Sequence, residues 1–105
     1  KKIKISFNLI FRPETKILTN QKNNMTINLT EKESKLLNFI LDNREKVLKK
    51  DEILINVWGI SERINTHTLE THIYALRKKI ERKLDIKDLI MFEEKKGYYI
   101  NKAIL

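Results

Sequence analysis

Between Thr66 and Lys83 the chain reads THTLETHIYALRKKIERK, and no other stretch constrains the fold as much. Leu69, Ile73, Leu76 and Ile80 recur at helical spacing and form a single apolar stripe. At roughly 100° per residue, the opposite side gathers His67, Thr71, Tyr74, Ala75, Lys78 and Arg82. Arg77, Lys79 and Lys83 flank it. The spacing predicts a helix anchored by one face and offering the other to something anionic. A helix of that width fits the major groove of duplex DNA, so DNA is the expected partner.

The rest of the composition agrees with one small domain around one core. The chain has 105 residues, 41% hydrophobic and 34% charged, which favours folding over disorder. It begins at Lys1 rather than Met, so it is expected to be a piece of a longer protein. It contains no cysteine, which excludes a disulfide framework and cysteine-based zinc sites and suits a reducing cytoplasm. No apolar run is long enough to span a bilayer, no signal-peptide pattern appears, and no membrane partner is expected. The net charge of +8 is unevenly spread. Residues 1–29 carry six basic and one acidic side chain, and residues 66–83 carry five and two, while the remaining segments are balanced. A pI near 9.7 with a basic stripe on one helix is the electrostatic footprint of a nucleic-acid binder.

The first 29 residues alternate without helical period, with breaks at Pro13-Glu14-Thr15 and at 20–24. This predicts three or four short antiparallel strands, too small a sheet to stand without something apolar beneath it. Thr30 and Glu33 then form a capping-box pattern, with Leu29 as a staple residue. Leu36, Leu37, Ile40 and Leu41 give the buried face of a first helix ending near Asp42-Asn43. Val47-Leu48 reads as an extended link. A second helix is expected from about Lys50 to Trp58, with Ile53, Leu54 and Val57 inward and Gly59 as its stop. A loop at 60–64 follows, and Asn65 or Thr66 caps the third helix. After Leu84, residues 89–92 and 98–100 read as two strands joined by a tip at 93–97. The fold class is therefore α+β: an N-terminal antiparallel sheet, three helices and a C-terminal β-hairpin, a winged helix-turn-helix.

Several motifs in this order resemble a known family. They are Leu29-Thr30-x-x-Glu33, Leu54-x-x-Val57-Trp58-Gly59, the run from Thr68-Leu69-Glu70 to Leu76-Arg77-Lys78-Lys79-Ile80, and Gly97-Tyr98. Together they resemble the winged-helix effector domain of OmpR/PhoB-type two-component response regulators, over essentially the whole chain. The resemblance implies that residues 1–105 form one DNA-binding effector domain, with a receiver domain upstream and absent from these residues. It implies sequence-specific binding of double-stranded DNA, with the third helix in the major groove and the wing at the adjacent minor groove. It further implies RNA polymerase contact through loop 59–65, dimers on DNA through the missing receiver, and a sensor histidine kinase as partner of the full-length protein.

Base-facing candidates are His67, Thr68, Thr71, Tyr74, Ala75 and Lys78. Phosphate and wing candidates are His72, Arg77, Lys79, Arg82, Lys95 and Lys96. Phosphate contacts fix register and affinity, whereas base edges carry the sequence choice. Arg77 is equally suited to pair with an acidic residue of the first or second helix. Trp58 and Tyr98 are expected in the core. Three positions depart from the family pattern. Ala75 stands where an outward arginine is common, so a bidentate contact to guanine is unavailable there. Glu94 stands where the wing usually has arginine, leaving Lys95 and Lys96 as less specific substitutes. Lys49 replaces the usual hydroxyl cap of the second helix.

Nothing in the chain points to catalysis or a cofactor. His67 and His72 are five apart and do not share a ligand face, and no Gly-rich phosphate loop or nucleophile–base arrangement occurs. Two alternatives stay open at this level. One is the DNA-binding domain of a membrane-anchored one-component regulator. The other is a winged helix that docks on an acidic protein.

Overall fold

A computed structural model describes residues 1–59 and 64–104. The alternating N-terminal segment forms four antiparallel strands in sequential order: β1 (Ile3–Lys4), β2 (Leu9–Arg12), β3 (Ile17–Asn20) and β4 (Met25–Asn28). The register pairs Ile3 with Phe11, Phe11 with Leu18, and Leu18 with Ile27. Because strand side chains alternate faces, this row points one way, and all four members are buried. The next row on the same face is Leu9, Asn20 and Met25, which puts an asparagine on the core side of the sheet.

Helix α1 (Glu31–Asp42) starts as its capping box requires. The Thr30 hydroxyl accepts the Glu33 N–H at 3.1 Å, and the Glu33 carboxylate accepts the Thr30 N–H at 2.8 Å. Leu36, Leu37, Ile40 and Leu41 are buried, as their spacing predicts. Leu48 then exchanges two backbone hydrogen bonds with Tyr98, of 2.7 and 2.9 Å, so the extended link is stitched to the wing.

The second helix departs from the sequence expectation in its second half. Only α2 (Lys50–Ile53) is α-helical, and Leu54–Trp58 continues as a π-helical turn. The Gly59 N–H closes it with a 3.1 Å bond to the Leu54 carbonyl five residues back. The wider turn brings Val57 and Trp58 into the core while Leu54 is only half-buried. Gly59 ends it at φ +91°, a backbone that side chains resist. Lys49 offers no side-chain cap; the Glu52 carboxylate accepts its N–H at 3.1 Å instead.

Helix α3 (Thr66–Leu84) is capped by Asn65, whose side-chain oxygen accepts the Thr68 N–H at 2.9 Å. Leu69, Ile73, Leu76, Ile80 and Leu84 are all within 1% of full burial. The helix ends at Asp85 in a left-handed conformation. Its last carbonyl, that of Leu84, accepts the Asn20 side-chain amide at 2.8 Å and that of Asn23 at 3.3 Å. The wing is the hairpin β5 (Ile90–Glu93) and β6 (Gly97–Ile100). The arrangement is a winged helix-turn-helix, with one apolar core linking sheet, helices and wing. No helix among the described residues is long and apolar enough to cross a membrane.

Candidate nucleic-acid interface

The apolar stripe holds α3 from behind, and polar ties fix it along its length. Near the start, Lys50 of α2 lies 2.6 Å from Glu70 and 5.0 Å from the centre of the Phe92 ring. It therefore joins α2, α3 and the wing. The hydrogen bond to Glu70 raises the Lys50 pKa, and the same bond lowers that of Glu70. In the middle, Lys79 lies 2.9 Å from Glu33 of α1. Arg77 lies 3.2 Å from Asp88, just before β5. The expected alternative partner of Arg77, an acidic residue on the first or second helix, is thus corrected: it is a residue of the α3–β5 connection. The neighbouring Lys79 makes the tie to the first helix.

The side facing away from the apolar stripe carries the base-facing candidates, with these ties along its flanks and His67 3.9 Å from Glu70. His67, Thr71, Tyr74 and Ala75 are exposed, and Tyr74 keeps 59% of its accessible surface. Lys78 is half-buried, 3.5 Å from Glu81 and 5.6 Å from the Tyr74 ring centre. Thr68 is half-buried and its hydroxyl donates to the capping Asn65 at 3.1 Å. The Thr71 hydroxyl donates to the His67 carbonyl at 3.0 Å.

The phosphate and wing candidates divide into two groups. Arg82 is exposed at the far end of the helix, beside Lys83. Lys95 is exposed at the wing tip, with φ +66°, and Lys96 beside it pairs with Glu93 at 3.0 Å. His72, Arg77 and Lys79 are instead half-buried, each with a partner outside α3. His72 meets the buried Trp58 edge-on, ring centres 5.1 Å apart. Between the starts of α2 and α3 and the wing runs an open groove of about 380 Å³, lined by Lys49, Lys50, Lys95 and Lys96 among others. Residues 60–63 of the loop expected to meet RNA polymerase lie outside the described residues.

Sequence reading missed Lys50 and Asn20. Their partners lie 20 and 64 residues away, so no local spacing announces them.

A clamped basic helix beside a hairpin wing is matched by known proteins. Residues 23–100 match the model of the family described as transcriptional regulatory protein, C terminal. The chain belongs to this family. The family and fold are those of DNA-binding transcription regulator domains. Among its relatives, the transcriptional regulatory protein VxrB of Vibrio cholerae is 40% identical over 58 residues, covering 55% of this chain and 24% of VxrB. The sensory transduction protein RegX3 of Mycobacterium leprae is 37% identical over 59 residues, covering 56% of this chain and 30% of RegX3. The matched region is thus only about a quarter to a third of each relative's length. Among solved structures, the DNA-binding domain of Escherichia coli CadC superposes with a TM-score of 0.78 at 25% identity, covering 90% of this chain and 86% of that one. The DNA-binding domain of the response regulator AdeR, solved in complex with an intercistronic region, gives 0.80 at 24% identity over 95% and 100% and supports the fold.

Proposed function

We propose that this domain binds double-stranded DNA sequence-specifically to regulate transcription within a two-component phosphorelay. The observation that carries the reading is the state of α3: its apolar stripe is fully buried while His67, Thr71, Tyr74, Ala75 and Arg82 stay exposed. In this reading α3 lies in the major groove. His67, Thr68, Thr71, Tyr74, Ala75 and Lys78 lie nearest the base edges, with Thr68 and Lys78 only half-exposed. Arg82, Lys95 and Lys96 neutralise phosphates. His72, Arg77 and Lys79 reach phosphate only by leaving Trp58, Asp88 and Glu33, and Lys96 only by leaving Glu93.

The larger assembly rests on the family. The domain works as the effector part of a longer cytoplasmic regulator, residues 1–105 forming one unit downstream of a phosphorylated receiver. Receiver phosphorylation by a sensor histidine kinase favours dimers that occupy adjacent half-sites, and loop 59–65 meets RNA polymerase. One domain alone supplies few base contacts and no avidity, so it binds weakly.

Selection of bound sequences from a random duplex pool, using the 105-residue chain at low salt, tests the reading. Enrichment of a defined sequence, with affinity falling steeply as salt rises, is expected. Equal retention of all duplexes, or affinity indifferent to salt, overturns it.

A further inference from the structure

Through its first half the outward face of α3 lacks the forked side chains that usually choose a base, and exposed Arg82 stands beyond it at the far end. Positions 67–75 contain no Arg, Asn or Gln. Arg77 is committed to Asp88, and Lys78 sits between Glu81 and the Tyr74 ring. The Thr71 hydroxyl hydrogen is taken up by the His67 carbonyl, leaving its methyl and lone pairs for a ligand. What the middle of the helix does present is carbon. Tyr74 and Ala75 are both exposed, and a hollow of about 420 Å³ opens beside them, bounded by Lys78, Lys79, Arg82 and Lys83. The surface is therefore apolar at its centre and cationic at its rim.

Duplex DNA offers one complement to such a surface. The major groove has an apolar group on only one of its base edges, the C5-methyl of thymine, and it is bordered by phosphates. We infer that Tyr74 and Ala75 are specificity-determining residues that read thymine methyl groups, so that the preferred site carries A·T pairs beneath the middle of α3. This deepens the proposed DNA binding and rests on it.

The test starts from the duplex enriched by selection. Each thymine is replaced in turn by uracil, which removes the methyl and leaves pairing intact. At one or two neighbouring thymines binding should weaken about fourfold, the transfer value of one buried methyl, and the other thymines should be silent. Tyr74→Ala should erase the difference between thymine and uracil at the thymine Tyr74 covers, keep any difference at the thymine beside Ala75, and leave the salt dependence unchanged. Ala75→Arg should move the selected base at that position from thymine to guanine. Both side chains are exposed, and unchanged far-UV circular dichroism confirms that the variants fold. A chain that prefers one sequence yet binds thymine and uracil equally at every position overturns the inference and leaves the DNA reading intact. A chain that binds no duplex even at low salt overturns both.

Discussion

Lys79 Nζ lies 2.9 Å from Glu33 Oε1, the same oxygen that accepts the Thr30 N–H at the start of α1. One carboxylate thus caps the first helix and holds the middle of the third. Both side chains are mostly covered, with 13% of Glu33 and 31% of Lys79 exposed. A lysine in that position serves the placement of α3 before it serves any ligand.

Lys79→Ala should therefore cost about 1 kcal/mol of stability, as expected for a partly buried ion pair with a charged hydrogen bond. It should leave the salt dependence of DNA binding unchanged. Arg82→Ala should do the reverse, keeping stability and flattening the salt slope by about one unit. Thermal unfolding and binding titrations across a salt series separate the two. If Lys79→Ala flattens the slope as Arg82→Ala does, then Lys79 leaves Glu33 for phosphate in the complex.

Acid should loosen the same contact. Burial alone would raise the Glu33 carboxyl, but the Thr30 N–H and the Lys79 ammonium outweigh it and hold its pKa below the ordinary 4.5. A carboxyl depressed in the folded state adds stability above its unfolded pKa and loses it as pH falls through the folded value. The unfolded chain binds the proton first, so stability declines below about pH 4.5. Glu33→Gln should make the urea midpoint less steep in pH over that acid range. Glu52 and Glu70, also lowered by hydrogen bonds, keep a residual slope in the variant. An unchanged slope in Glu33→Gln would mean that the contact is weak in solution.

Gly97 is set by contact as well as by angle. Its φ is +132°, and a Cβ there would stand 1.9 Å from the Leu48 carbonyl oxygen, which accepts the Tyr98 N–H at 2.9 Å. Gly97→Ala must strain the backbone and push Leu48 from the wing, at a cost of about 3 kcal/mol or more. A large fall in thermal midpoint is expected, together with loss of Tyr98 protection in hydrogen exchange. A midpoint within a degree or two of the parent would show that the wing is not stitched to the Leu48 link.

What was legible in the sequence was local. The Thr30–Glu33 box and the α3 stripe each depend on residues three or four apart, and each formed where spacing placed it, while the cap of α3, open between Asn65 and Thr66, fell to Asn65. The π-turn was not legible, because its five-residue bond follows from seating Val57 and Trp58 in a core built by distant elements. Ion pairs were legible only as candidates. Lys79 and Glu33 are 46 residues apart and Arg77 and Asp88 are 11 apart. For long side chains on neighbouring faces, tertiary placement decides which cation finds which carboxylate. The exposed face of α3 was legible as a face, yet the readiness of each residue there for a ligand depended on these pairings.

Asn20 makes the sharpest case of a polar group that the core tolerates only for its bond. It sits on the core face of β3 and is buried. Its amide donates to the Leu84 carbonyl, and its oxygen accepts the Lys22 N–H at 3.0 Å. The N-terminal sheet thereby secures the C-terminal end of α3, where the Asn23 amide at 3.3 Å is the only other side-chain donor among the described residues. Asn20→Leu keeps the volume but removes the shorter bond, and should cost about 1–3 kcal/mol, the range for a buried acceptor left short of a partner. Asn20→Asp should cost more at neutral pH, because an ionised carboxylate cannot donate and faces the negative end of the helix. Protonation restores a donor, so the folded-state pKa of that aspartate is raised and its deficit should shrink as pH falls. Urea midpoints of the three proteins at neutral and mildly acidic pH measure this. Equal midpoints for the parent and Asn20→Leu would show that Asn23 alone suffices at Leu84, and that the sheet does not hold the helix end through Asn20.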